Sequence, residues 1–223
     1  MSIDENIETI KKICKFAVEK FNKDMDEYWC GYEGGNSNFP TERNIVLHLA
    51  SSFSDKENNF HIYGEVGTNN KRMDLIALSP LNSNGGFMVL TEAKRLNRTQ
   101  QYLEIIKDIK KIEEFRIEKA TPENLNPAYK NVDAYGLVLA MLCDDNKEKC
   151  EKYKDYWVGE IHAKEGTLHA DLMNHFGNKP VTWGEQIFGS RSQENDSIGK
   201  YSENSTFGYI LFFLFKRKPL RSS

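Results

Sequence analysis

The chain has 223 residues, enough for one sizeable hydrophobic core with appended elements, and residues 1–223 read as a single domain. Hydrophobic residues at 39% against 28% charged describe a globular chain and exclude a disordered one, and no apolar run reaches the length of a membrane span. A net charge of −3 supplies no general attraction for nucleic acid, so a polyanionic partner has to be met by local basic patches or a metal ion.

The first residues lack the apolar core of a secretory signal. Cys14, Cys30, Cys143 and Cys150 are scattered without a CxxC pair, and the five histidines show no HExxH or comparable spacing. Zinc is not expected, Cys143 and Cys150 read as buried thiols, and the expected location is cytoplasmic.

In chain order, Ile7, Ile10, Ile13, Cys14, Ala17, Val18 and Phe21 recur at spacings of three and four, which predicts an amphipathic helix covering the core. Tyr28 to Ser37 reads as a glycine-rich loop whose aromatics either stack on bases or pack onto the domain. Pro40-Thr41-Glu42 opens a second helix with Ile45, Val46, Leu49, Ala50 and Phe53 on one face; Glu42 suits the positive end of its dipole. Phe60 to Val66 alternates as a strand, with Glu65 facing either a site or solvent. The link from Gly67 carries Lys71 and Arg72, candidates for phosphate contact or solubility alone.

The stretch Arg72 to Lys94 organises the rest. Two apolar strands flank the turn-forming residues Ser79 to Gly86, so an antiparallel hairpin is expected. Alternation puts Asp74, Ile76 and Leu78 on one face, and Met88, Leu90, Glu92 and Lys94 on one face of the partner. Pairing Asp74 opposite Glu92 matches Ile76 with Leu90 and Leu78 with Met88. Two facing carboxylates repel, and a divalent cation such as Mg²⁺ would compensate them. Lys94, on the same face, is placed to hold a phosphate oxygen or help activate a water, a combination suited to metal-assisted phosphodiester hydrolysis.

Beyond it come Arg95 and Arg98, further candidates for phosphate contact, and a helix from about Thr99. Gln100 and Gln101 at its start are either contacts near the site or a polar first turn. Tyr102, Ile105, Ile106, Ile109, Ile112 and Phe115 form its apolar stripe, while Lys107, Asp108, Lys110, Lys111, Glu113 and Glu114 read as a solvated face. Ala134 to Leu142 is apolar without alternation, as a central strand is. A charged helix with Cys150, Tyr153 and Trp157 follows, then a strand over Tyr156 to His162, a short helix or irregular segment over Leu168 to Phe176, a loop over Gly177 to Thr206, and a closing strand over Phe207 to Phe215. The basic residues Lys216, Arg217 and Lys218 read as a solvated terminus or a contact to a nucleic-acid backbone.

Asp74, then seventeen residues, then Glu92-Ala93-Lys94 resembles the signature of the PD-(D/E)XK nuclease superfamily, an Asp on one strand and (Asp/Glu)-x-Lys on the next; Met73 stands where the motif has Pro. The triplet alone is weak, since Asp108-Ile109-Lys110 and Asp145-Asn146-Lys147 also fit it. The resemblance covers about residues 41–142 in the order helix, three strands, helix, strand, with 143–223 as elaboration. It implies an α/β fold, a mixed central sheet flanked by helices, with a restriction-endonuclease-like core. It also implies a nuclease acting on DNA in preference to RNA, with Asp74 and Glu92 holding Mg²⁺ or Mn²⁺, Glu42 as a further ligand, and Lys94 as the catalytic cation. A homodimer is compatible with it. The alternative is a catalytically inactive subunit that keeps the fold and binds nucleic acid or protein.

Overall fold

The computed structural model describes residues 3–28, 42–68, 71–82, 85–96, 102–116, 129, 132–144, 147–158, 181–187 and 207–217. In chain order the elements are α1 (Ile3–Tyr28), α2 (Glu42–Phe53), β1 (His61–Thr68), β2 (Lys71–Leu78), β3 (Phe87–Leu96), α3 (Tyr102–Glu114), β4 (Asp133–Asp144), α4 (Lys147–Val158), β5 (Val181–Ile187) and β6 (Phe207–Lys216). The strands form one mixed sheet in the order β1-β2-β3-β4-β6-β5, with β3 and β4 parallel and the other described neighbours antiparallel. The parallel step follows from the connection, because α3 carries the chain from the end of β3 back to the start of β4.

Helices cover both faces, and the periodicity of each decides what it buries. The stripe Ile10, Ile13, Cys14, Ala17, Val18 and Phe21 of α1 joins Ile45, Leu49 and Phe53 of α2 over Leu75, Ala77, Val89, Leu137, Leu139 and Phe212. On the opposite face Ile105, Ile109, Ile112 and Phe115 of α3, with Cys150 of α4, pack on Ile76, Leu78, Met88, Leu90, Val138, Ala140 and Phe213. Each fully buried aliphatic side chain contributes about 1.5–3 kcal/mol, so the two layers supply the main driving force. Because β4 is covered on both faces it is apolar from Ala134 to Leu142, as expected of a central strand. Gly136 lies where a Cβ would overlap the Phe215 ring on the paired strand β6, so the ring fills the space a side chain would take.

The hairpin has the expected register, with Ile76 opposite Leu90 and Leu78 opposite Met88. Its turn closes through Asn82 and Gly85, whose φ of 83° requires glycine's freedom.

Several segments depart from the sequence reading. Tyr28 belongs to α1 and not to a loop, and Tyr156 to Val158 complete α4 instead of opening a strand. Gly67, Thr68, Lys71 and Arg72 lie in paired strand and not in an open link. Val181–Ile187, expected within a long loop, is a sheet-edge strand held by β6, and only Ile187 is fully buried, so its local pattern carries little apolar signal.

Lys216 and Arg217 of the basic run after Phe215 are also structural, while Lys218 lies outside the described residues. Lys216 pairs with Asp133 at 2.7 Å. Arg217 is buried; its Nε and Nη2 donate to the carbonyl of Glu113 at 3.2 and 3.0 Å, and Nη2 also donates to the carbonyl of Phe115. Helix ends leave carbonyls without intrahelical partners and carry partial negative charge, so a buried guanidinium is a strong cap for α3. Arg217→Ala is expected to destabilise the protein by about 1.5–3 kcal/mol in urea denaturation, the range for lost hydrogen bonds to a charged group; a solvated arginine would give a change within about 0.5 kcal/mol.

Candidate functional site

The hydrogen-bonded ladder between β2 and β3 runs from Leu78↔Met88 to Leu75↔Thr91 and stops there. One step further, where Asp74 would face Glu92, the Asp74 carboxylate takes over: Oδ2 accepts the backbone N–H of Ala93 at 2.8 Å. The strand changes phase at this point. Met73 packs in the same layer as Ile76, three residues away, and on β1 Val66 packs in the same layer as Tyr63. Between those two lies Glu65, with a φ of 46° that an L-residue rarely adopts. The broken alternation separates the strand ends and lets Asp74 reach across to β3.

Glu92 is 2% exposed on the α3 side of the sheet. Its Oε2 accepts a hydrogen bond from Lys111 Nζ of α3 at 2.7 Å, and its Oε1 is buried without a hydrogen-bond partner among the described residues. Burial, and secondarily the negative charge of Asp74, push its carboxyl up to about 7, against the opposing pull of Lys111. Lys94, two residues on, pairs with Asp108 of α3 at 3.7 Å. Asp108 is 6% exposed, its Oδ2 also lacks a hydrogen-bond partner among the described residues, and burial pushes its carboxyl up to about 6.

The site therefore gathers five charges at one end of the sheet: Asp74, Glu92 and Lys94, expected from sequence, and Asp108 and Lys111, which the sequence reading placed on a solvated face. The correction has a simple cause. Asp108 falls three residues after Ile105 and four before Ile112, inside the buried stripe, and that spacing was the available signal.

The other candidates are dispersed. Glu65 is exposed, 3.9 Å from Arg43 and 3.7 Å from Arg72, which is itself exposed. Alternation along β3 puts Arg95 on the face opposite Glu92 and Lys94. Glu42 begins α2 and Lys71 begins β2, while their side chains, together with Arg98 and Gln101, lie outside the described residues.

The donor set at the strand ends suits a hard divalent cation. Mg²⁺ takes one or two protein carboxylates and keeps water elsewhere, and the orphaned Glu92 Oε1 is an acceptor that such an ion would satisfy. Among the described residues no group of three or more His, Cys, Asp or Glu side chains is assembled to hold a metal. No family model, curated protein or solved structure gives a significant match to the chain.

The buried Glu92 sets a pH dependence with a definite sign. In the unfolded chain its proton leaves near 4.5, whereas the folded protein keeps it to about 7, so the native state binds more protons between those values and stability falls as pH rises through them. Metal-free protein is expected to lose stability from pH 4.5 to 7 with a slope of at most about 1.4 kcal/mol per pH unit from this group. Glu92→Gln should flatten that slope in urea titrations run with a chelator; identical slopes would show that Glu92 is not buried in its charged form.

Proposed function

We propose that this chain is a metal-dependent nuclease of restriction-endonuclease-like architecture that hydrolyses phosphodiester bonds, in DNA before RNA. The observation that carries the reading is Glu92, a buried carboxylate with one unpartnered oxygen, beside Asp74 and on the same strand end as Lys94. A fold with only structural demands at this point would favour an apolar residue, since removing a charge from water costs several kcal/mol even after relaxation. The order α2-β1-β2-β3-α3-β4 supports the same reading, because it is the order the resemblance implies.

Asp74 and Glu92 would hold Mg²⁺ or Mn²⁺. When bound, such an ion supplies Lewis-acid polarisation of the phosphate and lowers the pKa of a coordinated water. Lys94 is about one-third exposed and directs a positive charge to the mouth of the site, where it stabilises the negative charge that builds on the phosphate oxygens. Asp74, fixed by the Ala93 N–H, presents its carboxylate at the fork without needing a side-chain rearrangement.

One observation favours a second reading, a subunit that binds without cutting: Lys111 already meets the charge of Glu92 at 2.7 Å. Cleavage decides between them. Purified protein incubated with single- and double-stranded DNA and RNA is expected to cut DNA only with Mg²⁺ or Mn²⁺. Lys94→Met keeps most of the aliphatic stem and should reduce cleavage by roughly a hundredfold or more with binding little changed. Asp74→Asn retains an oxygen for the Ala93 N–H, so it should fold normally yet lose the rise in melting temperature that Mn²⁺ gives the wild type. Binding without cleavage by the wild type on every substrate would establish the second reading.

A further inference from the structure

Glu92 and Lys94 lie two apart on a strand and so share a face, and Asp108 and Lys111 lie three apart on a helix and so share another. Both pairs run acid first, then cation. They meet crosswise: the strand acid takes the helix lysine at 2.7 Å, and the strand lysine takes the helix acid at 3.7 Å. The uncrossed alternative, in which Lys94 folds back onto Glu92, would tie up the more exposed lysine of the pair, 36% of whose side chain is open to solvent. Lys111, with a side chain only 26% exposed, is the more enclosed of the two.

We propose that Asp108 is a positioning residue that holds the Lys94 ammonium away from Glu92 and toward the phosphate of a bound substrate. The inference rests on the nuclease reading and extends it to a helix outside the strand motif. The geometry assigns the two lysines different work: Lys111 balances Glu92, and Lys94, steered by Asp108, is left for the substrate. The contact is also one that this placement of α3 provides, since Asp108 is enclosed and its Oδ2, which has no hydrogen-bond partner among the described residues, is the atom that faces Lys94. Asp108 itself touches no reacting atom, so its effect on cleavage passes through Lys94.

Such a residue is detected by non-additivity. Asp108→Asn should lower kcat by about 10- to 100-fold, the cost of a misplaced catalytic group, with KM within about twofold of the wild type. In a Lys94→Met background the same change should cause no further loss, and Asp108→Glu should recover part of the activity. Circular dichroism and melting temperature would show each variant folded. A readout independent of cleavage is trace labelling with acetic anhydride, followed residue by residue by mass spectrometry: Asp108→Asn should increase labelling at Lys94 at least threefold and leave exposed Lys107 unchanged. Losses that multiply in the double variant, full activity in Asp108→Asn, or unchanged labelling of Lys94 would each overturn the assignment. Increased Lys94 labelling with no cleavage by the wild type on any nucleic acid would overturn the nuclease reading instead, and the role in cleavage with it.

Discussion

Burial of the Glu92 carboxylate is the constraint around which the sheet end is arranged. An ionised carboxylate out of water is tolerated when it is paired and its lone pairs are met, and here one oxygen is met by Lys111 while Asp74 nearby works against ionisation. That requirement fixes α3, because Lys111 reaches Glu92 only while the helix lies over the end of β3. The helix is in turn pinned at the same end, just past Lys111, by Arg217, whose guanidinium takes the carbonyls of Glu113 and Phe115. A residue of the chain's last described segment thus stabilises the geometry of a site built by strands more than a hundred residues earlier.

The second determinant is the fork between β2 and β3. In an undisturbed ladder Asp74 and Glu92 would be flanking partners, their backbones paired and their side chains parallel. Ending the ladder at Leu75↔Thr91 gives the Ala93 N–H a side-chain acceptor in place of a backbone one, so that donor stays satisfied while the carboxylate is locked. The neighbouring strand carries the distortion as the left-handed backbone of Glu65, a conformation costing about 1 kcal/mol for a residue with a Cβ. Strain of this kind persists when the surroundings over-determine it, and here the layer packing of Tyr63 and Val66 does so.

What could be read in the sequence was whatever local period determines. The two-residue alternation of β2 and β3 fixed the register to the residue, and the stripes of α1, α2 and α3 fixed which faces they bury. The contributions of Asp108, Lys111 and Arg217 were harder to read because each depends on which end of a neighbouring element a polar side chain meets. Charge on a helix face reads as solvated until the length and offset of β3 are known. β5 was hidden for a related reason: an edge strand covered on one side needs few apolar residues, and among the described residues its pairing comes entirely from β6. The hydrogen bond that locks Asp74 is a consequence of a strand-phase change that no period announces.

The position of β6 between β4 and β5 has a consequence for how the protein is made. On the ribosome β4 emerges as a twelve-residue, largely apolar strand whose partner on one side, β3, is already available. Its other edge stays open while α4, β5 and the intervening chain are synthesised, which at ordinary elongation rates is several seconds or more. An open apolar edge of that length is a template for pairing with another nascent chain. Arrival of β6 closes it, gives β5 its only strand neighbour among the described residues and delivers Arg217 to α3 in one event. Completion of the sheet and capping of α3 are therefore simultaneous, and a translation pause before Phe207 would leave a partial sheet both aggregation-prone and with α3 unpinned.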